Sequence, residues 1–387
     1  MEAARLHWVH ACAIDSAEGM PDMPTGFVFH EIYLWHSTGS SAGVMPYGLP
    51  VEPYEPAEHP DAKRRIRNLL EVSGLLERLV PIRPRAAKDD EILRFHTQAH
   101  LDRIRALNDS PAADAGVFTP MGRGSFDIAA LAAGGVIAAV DAVLDAHVEN
   151  AYALVRPPGH HAMPDLAMGF CIFGNGAIAG LHALETRGVA RIAYVDWDVH
   201  HGNGTQAAFY SDPRALTISV HQDRCFPQNS GFIEENGDGA GRGFNINVPL
   251  PPGSGVGAYE AVFDRVVIPA LEKFRPELII VPSGFDAGAY DPLGRQMMTG
   301  AGYRALTRRL MDFAAQCCDG RLVMCHEGGY SAPTVPFFAH AVLETLSGIS
   351  TEIQDPFEKI LAGMGQQELQ PHQDAVIRQA EQLLSNL

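Results

Sequence analysis

Two aspartates and a histidine stand at alternate positions after the apolar run 191–195, in the segment Asp196-Trp197-Asp198-Val199-His200. In extended backbone the side chains at positions i and i+2 point the same way, so Asp198 and His200 can converge on one point. Polar and charged groups are costly beside a buried strand unless they are paired or bind a metal. Because carboxylates and imidazoles are ligands of divalent metal ions, the segment predicts a metal site at the end of a strand.

Three more apolar runs end beside glycines and reactive side chains. They lead to the adjacent His160 and His161, to Asp286, and to Tyr330. Sites in an open parallel sheet form at the carboxyl ends of the strands, so we expect the four strand ends to meet. Asp198, His200 and Asp286 would then bind one ion and leave a coordination position open for water and substrate.

The two carboxylates of this ligand set would nearly cancel the charge of a divalent ion. Such an ion should acidify its bound water less than a site of three histidines does, so a separate base becomes necessary. The pair His160 and His161, on a stiff Pro-Pro-Gly turn, can supply it. Zn²⁺ suits the ligands, and Fe²⁺ or Co²⁺ would also fit. The alternative is that Asp198 and His200 form a hydrogen-bonded structural pair.

Helical patterns alternate with short apolar strands along the whole chain. Helices are predicted at 61–73 with Asp61 as cap, 125–148 with Ser125 as cap, 259–274, 299–317, and 335–346 with Thr334 as cap. Further strands are predicted at 216–220 and 245–248. This alternation predicts an α/β fold with one mostly parallel sheet flanked by helices. No linker or repeat divides the chain, so we expect a single domain.

Composition excludes several classes of protein. The chain has 387 residues, 46% of them hydrophobic, and a net charge of −17 from 29 Lys and Arg against 46 Asp and Glu. The acidic balance argues against nucleic acid as a partner and is compatible with a cationic substrate. No apolar run approaches the ~20 residues of a membrane span, so we expect no membrane partner. The six cysteines form no C-x-x-C pair, which favours a reducing cytoplasm.

Four stretches in order, RPPGHHAMPDLAMGFCIF, DWDVHHGNGTQAAFY, SGFDAGAYDPLG and EGGY, resemble the histone deacetylase family. The nearest likeness is to its class II-like bacterial members, the histone deacetylase-like and acetylpolyamine amidohydrolases. The resemblance runs from about residue 27 to about residue 365, so residues 1–25 are interpreted as an N-terminal extension and 26–387 as the catalytic domain. It implies the arginase-deacetylase fold and a zinc-dependent hydrolase of linear amides that removes acetyl or other short acyl groups from a small-molecule or peptide amine. We expect a homo-oligomer, either a dimer or a tetramer.

The resemblance also implies roles for the histidine pair and for Tyr330. By motif position, Asp196 is the partner of His160 and Asn203 the partner of His161. A carboxylate partner raises the pKa of a histidine, whereas a neutral amide does so far less. His160 should therefore be protonated and act electrostatically, and His161 should be the general base and then the general acid. Tyr330 should donate a hydrogen bond to the substrate oxygen.

Further positions match the substrate and ion sites of the family. Gly169, Phe170 and Phe226 match the walls of an acyl-lysine tunnel, and Leu293 should lie at its rim. Polyamine-selective relatives carry a glutamate at the position of Leu293, so this chain should prefer acyl-lysine or neutral acyl amides. One structural K⁺ site is implied at Asp196, Asp198, His200, Ser219 and Val220, and a second at Phe209, Asp212, Ala215 and Phe244.

Three competing functions stay open at this stage. An acetylpolyamine deacetylase would use the same chemistry on another substrate. A dimanganese ureohydrolase of related fold would need more bridging carboxylates than the chain supplies. A non-catalytic sensor of acyl-lysine or of a metabolite would bind without turnover.

Overall fold

The structure is a computed structural model that describes residues 24–39 and 52–387. Most of the predicted extension 1–25 lies outside the described residues. The first strand begins at Thr25, one residue before the predicted start of the catalytic domain. The division at residue 25 therefore stays a prediction.

Eight parallel strands form the central sheet. In chain order they are β1 Thr25–Val28, β2 Val80–Ile82, β3 Asn150–Ala153, β4 Ile192–Asp196, β5 Ala215–Gln222, β6 Asn245–Leu250, β7 Leu278–Ser283 and β8 Leu322–His326. Their order across the sheet is β6-β5-β4-β7-β8-β3-β1-β2, and every neighbouring pair is parallel. The predicted mostly parallel α/β fold is confirmed.

Twelve α-helices are found in the described residues. They are α1 Asp61–Val72, α2 Asp89–Ile92, α3 Gln98–Ala106, α4 Ser125–Leu144, α5 Asn175–Thr186, α6 Asn203–Phe209, α7 Val256–Val262, α8 Ile268–Phe274, α9 Gly300–Cys317, α10 Val335–Ser347, α11 Glu358–Ala362 and α12 Pro371–Leu383. A π-helical turn, Phe263–Val267, joins α7 to α8. Short 3₁₀ turns occur at Glu31–Trp35, Leu76–Arg78, Gly239–Gly241 and Leu384–Asn386.

Two hydrophobic clusters cover the sheet, one on each face. Along β8, Leu322 and Met324 belong to one cluster, while Val323 and Cys325 belong to the other. This follows from the two-residue repeat of a strand, and strands buried on both faces consist of nearly continuous apolar residues. That is why β3, β4, β7 and β8 were recognisable as apolar runs.

Helix ends differ in detail from the sequence prediction. Helix α4 ends at Leu144 and not at 148, and its N-cap is Gly124, in the left-handed conformation. The Ser125 hydroxyl instead accepts from the backbone N–H of Gly122 and is bonded to His36. Thr299 caps α9 by accepting from the Gly302 N–H at 3.2 Å. The Thr334 hydroxyl makes no cap bond and donates to Ser331.

Helix α4 is the described segment that comes nearest to a membrane span, although no uninterrupted apolar run in the sequence approaches ~20 residues. It is 20 residues long and apolar enough to cross a membrane by length and composition. Two aspartates, Asp127 and Asp141, interrupt its apolar residues, so the longest uninterrupted apolar run is shorter than the helix. In the structure 72% of its apolar window is buried inside the protein, where the helix packs on α5, β3 and β1. Here α4 is therefore a core helix.

Two pairs of very short strands lie beside the main sheet. Ala113–Asp114 pairs antiparallel with Pro120–Met121, and Gly116–Val117 pairs parallel with Ala167–Met168. The second pair continues as backbone hydrogen bonds from Gly169 N to the Val117 oxygen and from Phe170 N to the Phe118 oxygen. These bonds bring a segment absent from the sequence prediction, around Phe118, next to the predicted tunnel wall.

Candidate active site

Four neighbouring strands deliver the predicted reactive residues to one edge of the sheet. Strand β4 lies beside β7, β7 beside β8, and β8 beside β3. The segments after these strands carry Asp198 and His200, then Asp286, then Tyr330, and then His160 and His161. The predicted meeting of four strand ends is therefore observed.

The predicted metal ligands form a buried cluster. The His200 Nδ1 atom lies 3.1 Å from Asp198 Oδ1 and 3.1 Å from Asp286 Oδ2. One ligand atom from each of the three residues lies within 4.8 Å of the other two. Backbone N–H groups orient the carboxylates: Gly328 donates to Asp198 Oδ2 at 2.9 Å, and Val199 donates to Asp286 Oδ1 at 2.8 Å.

The charge and packing of this cluster fit a divalent ion. Burial and the neighbouring Asp198 raise the pKa of Asp286, because two carboxylates repel each other where water is excluded. Burial lowers the pKa of His200, but the two aspartates more than reverse this and raise it well above its ordinary value. Gly284 and Gly328 complete the fit. A Cβ on either residue would stand 2.0 Å from a carboxylate oxygen of Asp198 or Asp286, respectively.

A second group of potential ligands lies nearby, formed by His160, Cys171 and Glu327. Burial and the charge of Glu327 raise the pKa of the Cys171 thiol well above its usual value. Since the thiolate is the form that binds metals, this protonated thiol is a poor ligand. The cluster of Asp198, His200 and Asp286 is therefore the better metal site among the described residues.

Each histidine of the pair has the partner expected for it. The His160 Nδ1 atom lies 3.0 Å from Asp196 Oδ2, and the His161 Nδ1 atom lies 2.8 Å from Asn203 Oδ1. Asn203 also donates to the backbone oxygen of His161 at 3.2 Å, which fixes the orientation of its amide. Because the Asn203 oxygen accepts, Nδ1 of His161 carries the proton, and a neutral ring then has its lone pair on Nε2.

The pKa values of the two rings are driven apart by their surroundings. Burial lowers the pKa of His160, but Asp198 and then Asp196 raise it to a net value of about 10. Burial, together with the charges of His160 and His200, holds the pKa of His161 well below its ordinary value. These opposite shifts favour a protonated His160 and a neutral His161, which is the division of charge expected from Asp196 and Asn203.

A narrow aromatic tunnel leads to the cluster. Its walls consist of Phe118, His161, Gly169, Phe170, His200, Cys225, Phe226, Leu293 and Tyr330. The ring centroids of Phe170 and Tyr330 are 5.9 Å apart, and those of Phe118 and Phe226 are 6.2 Å apart. Gly169 has a φ of +54°, and a Cβ there would lie 2.4 Å from His161 and 2.8 Å from Phe226. Only glycine leaves the tunnel open at that point.

The predicted wall and rim residues all line this tunnel. Leu293 lines both the tunnel and a surface groove beside its mouth, in agreement with the expected rim position. Two wall residues were missed by sequence reasoning, Phe118 and Cys225. Phe118 has a φ of +51°, which is unusual for a residue with a large side chain. No local sequence motif indicates its position in the tunnel wall.

Asp291 is a third missed residue, and it joins the rim to Tyr330. Its Oδ1 accepts from the Leu293 N–H at 2.9 Å, and its Oδ2 accepts from the Tyr330 N–H at 2.8 Å. The Ser331 N–H adds a bond of 3.3 Å. Burial and Asp286 raise the pKa of Asp291 to about 7, although the N–H groups of Tyr330 and Leu293 oppose the rise. An Asp-Pro pair after a metal ligand was the available signal in the sequence.

Glu327 directly precedes Gly328 and Gly329, the two glycines before Tyr330, and the sequence predicted no role for it. Its Oε2 accepts from the N–H groups of Gly159 at 2.6 Å and His160 at 3.0 Å. Burial raises the pKa of Glu327 to about 7, while His160 and the two N–H donors oppose the rise. Glu327 thus holds the turn that presents the histidine pair.

The residues implied for monovalent ions also lie close together. Asp196 and Ser219 are register partners on β4 and β5, and Val220 follows Ser219. In the second group, Asp212 N–H donates to the Phe209 oxygen at 3.0 Å and Ala215 N–H donates to the Asp212 oxygen at 3.3 Å. Phe244 contributes its oxygen to a bond of 2.9 Å from Thr217 N–H. Potassium at either place stays a prediction.

The parallel α/β fold, the three-ligand cluster and the paired histidines at the end of a tunnel define a class of protein, the amide hydrolases of deacetylase type. A histone deacetylase domain model matches residues 56–346. A histone deacetylase-like amidohydrolase of Pseudomonas aeruginosa is 49% identical over 340 residues, which cover 87% of this chain and 90% of that protein. The chain belongs to the histone deacetylase family.

Two further comparisons agree with this assignment. A probable deacetylase of Archaeoglobus fulgidus is 37% identical over 341 residues, which cover 86% of this chain and 89% of that protein. The crystal structure of the HDA15 HD domain superposes with a TM-score of 0.79 at 31% identity and covers 94% of this chain and 96% of that one. The protein is therefore an enzyme of the deacetylase and amidohydrolase type.

The unequal pKa values predict unequal effects of removing the two histidines. His161→Ala should lower kcat by at least about 10², the usual contribution of a general acid–base group. His160→Ala should be milder, because a ring whose pKa is raised to about 10 already carries its proton and cannot accept one from water. Steady-state kinetics on both variants, with the exposed His372→Ala as control, would check this order. A larger loss in His160→Ala than in His161→Ala would contradict it.

Proposed function

We propose that the protein is a zinc-dependent hydrolase that removes acetyl or another short acyl group from an acyl-lysine side chain or a small acyl amide. The observation that supports this most directly is the tunnel, whose walls include the cluster residue His200, the neutral His161 and Tyr330. A substrate that enters this tunnel would meet one residue of the metal cluster, the proposed base and the proposed hydroxyl donor.

The shape and chemistry of the tunnel suit an alkyl stem with an amide at its end. The rings of Phe170 and Phe226 can contact methylene groups without desolvating any polar atom of the substrate. A stem of this kind would bring the acyl group to the inner end of the tunnel, beside His161 and His200. A bulky or branched amine would be excluded by the close aromatic walls.

Asp198, His200 and Asp286 would hold the zinc ion. Bound there, it would polarise the acyl carbonyl as a Lewis acid and lower the pKa of a water molecule. Since two of its three ligands are carboxylates, this acidification is weaker than in a site of three histidines. The protein's own base therefore has to contribute more to removal of the proton from the water.

His161 is the proposed base. Its Nε2 lone pair can take a proton from the water and return that proton to the amine nitrogen as the C–N bond breaks. His160 stays protonated on Asp196 and offsets the negative charge that develops between the water and the carbonyl. The Tyr330 hydroxyl can donate to the carbonyl oxygen as it becomes negative.

The K⁺ ions, the homo-oligomer and the cytoplasmic location stay predictions, as do the proposed absences of nucleic acid and membrane partners. The acetylpolyamine deacetylase is the main alternative substrate class. Relative kcat/KM values for acetyl-lysine peptides, acetylpolyamines and small acyl amides would distinguish these substrates.

Metal removal should abolish turnover. A chelator is expected to remove activity, and Zn²⁺ or Co²⁺ should restore it with one ion bound per chain, because one cluster of three strong ligands is present at the tunnel. Elemental analysis beside an activity titration measures both quantities. Two tightly bound catalytic ions per chain would instead support the ureohydrolase.

Loss of the Tyr330 hydroxyl should slow the reaction strongly. Tyr330→Phe keeps the ring between Phe170 and the tunnel and removes only the donor, a change that typically costs about 10²–10³ in kcat. A stopped or continuous deacetylation assay on an acetyl-lysine substrate measures the loss. Near wild-type turnover of Tyr330→Phe would exclude the proposed donor role.

A carboxylate at the rim should shift the preference between substrates. Leu293→Glu is expected to improve acetylspermidine relative to acetyl-lysine several-fold, chiefly through KM, because a carboxylate can pair with the distant ammonium group of a polyamine. Leu293→Gln is the control of similar size without charge. Wild-type protein that already favours acetylspermidine would be incompatible with the proposed role of Leu293.

A further inference from the structure

A buried group of three charged side chains lies behind Tyr330, and neither the sequence reasoning nor the proposed reaction uses it. Glu58 and Arg156 are 0% exposed, and Lys63 on α1 is 2% exposed. Two cations and one carboxylate therefore share a site without access to water. Buried charges are normally paired one to one, because an unpaired charge loses its hydration.

Arg156 alone is sufficient to neutralise Glu58. Its Nε and Nη2 atoms donate to the two carboxylate oxygens at 2.8 Å and 2.7 Å, which is a bidentate pair. Its Nη1 atom donates to the backbone oxygens of Tyr33 and His36 at 3.2 Å and 2.6 Å. The guanidinium group is thus well matched without Lys63.

Lys63 is the surplus charge of this group. Its ammonium lies 3.2 Å from Glu58 Oε1, an oxygen that Arg156 already contacts. The two nearby histidines are neutral at pH 7 and do not change this count of charges. Burial and Arg156 lower the pKa of His36 to about 3, and burial and Lys63 hold the pKa of His326 well below its ordinary value.

The surplus ammonium stands over the ring of Tyr330. Lys63 Nζ is 5.5 Å from the ring centroid, within the range of a cation–π contact, and such contacts are strongest where water is absent. Helix α1 packs on α10, the helix that follows the Tyr330 loop, so the position of the ammonium is fixed relative to the ring. Asp291 fixes the backbone of Tyr330, and Lys63 contacts its side chain.

We propose that Lys63 is a positioning residue for Tyr330. Its ammonium holds the face of the ring so that the hydroxyl stays directed for donation, and its charge makes that hydroxyl a stronger hydrogen-bond donor to an oxygen that becomes negative. This inference rests on the proposed oxyanion role of Tyr330. It also accounts for a second buried cation at a carboxylate that needs only one.

The substitution Lys63→Met separates this role from a structural one. Methionine has nearly the same length and removes the charge together with the bond from Lys63 Nζ to Glu58, whose carboxylate stays paired with Arg156. We expect kcat to fall about tenfold with KM unchanged and with equal metal content, while Tm stays equal or rises, because a surplus buried charge is removed. The matched control is Arg67→Met on the same helix. The Arg67 guanidinium carbon lies 5.9 Å from the centroid of the Phe29 ring at the surface, so this variant removes a cation from an aromatic ring away from the site.

A double-mutant cycle with Tyr330→Phe completes the test. If Lys63 acts through the hydroxyl, Lys63→Met should cause no further loss in the Tyr330→Phe background. The same cycle on the dissociation constant of a hydroxamate inhibitor requires no turnover and should show the same lack of additivity.

Several outcomes would overturn the inference. The first is a wild-type kcat in Lys63→Met, and the second is a tenfold fall in kcat when Lys63→Met is added to Tyr330→Phe. The third is a loss of activity that accompanies a lower Tm, or failure of Lys63→Met to fold, because either would indicate a structural role. A fully active Tyr330→Phe single variant would instead refute the proposed role of Tyr330 itself. Failure of the inference and failure of the proposed function therefore give different results.

Discussion

The repulsion between two buried carboxylates is the constraint on which the rest of the site depends. Asp198 and Asp286 approach the same histidine nitrogen at 3.1 Å in a place closed to water. Backbone N–H groups and the glycines Gly284 and Gly328 hold them there, and their proximity raises the pKa values of Asp286 and His200. A divalent ion bound by both carboxylates would offset their repulsion, so the backbone that brings them together suits a metal site.

The charge of the cluster extends outward to the histidine pair. Asp198 contributes to the raised pKa of His160, and the protonated His160 contributes to the lowered pKa of His161. The pKa values of the two adjacent histidines thus shift in opposite directions, because His160 lies beside the carboxylates of Asp196 and Asp198, whereas His161 lies beside the charged His160. Asn203 keeps this difference, since an aspartate in its place would supply a second negative partner.

The sequence was sufficient for the parts of the site that follow a strand directly. Buried parallel strands are apolar runs, and the side chains after them alternate, so the ligands, the histidine pair and Tyr330 could be predicted together. Glu58 and Lys63 could not, because Glu58 pairs with Arg156, 98 residues later, and Lys63 lies over the ring of Tyr330 in a distant part of the chain. Local pattern carries no information about such contacts. The prediction of Ser125 as the N-cap of α4 was wrong for a related reason, because the Ser125 hydroxyl bonds to His36, 89 positions earlier.

The carboxylate of Asp291 has a consequence for anyone who reshapes this protein. One side chain binds the backbone of Leu293 at the tunnel rim and the backbone of Tyr330, so a displacement of either segment would be passed to the other. If Leu293 and Tyr330 have the proposed roles, substrate selectivity and turnover rate are mechanically linked. A library built at the rim would then sample both at once, and variants that widen the mouth by moving the loop would lose rate even where they gain a new substrate.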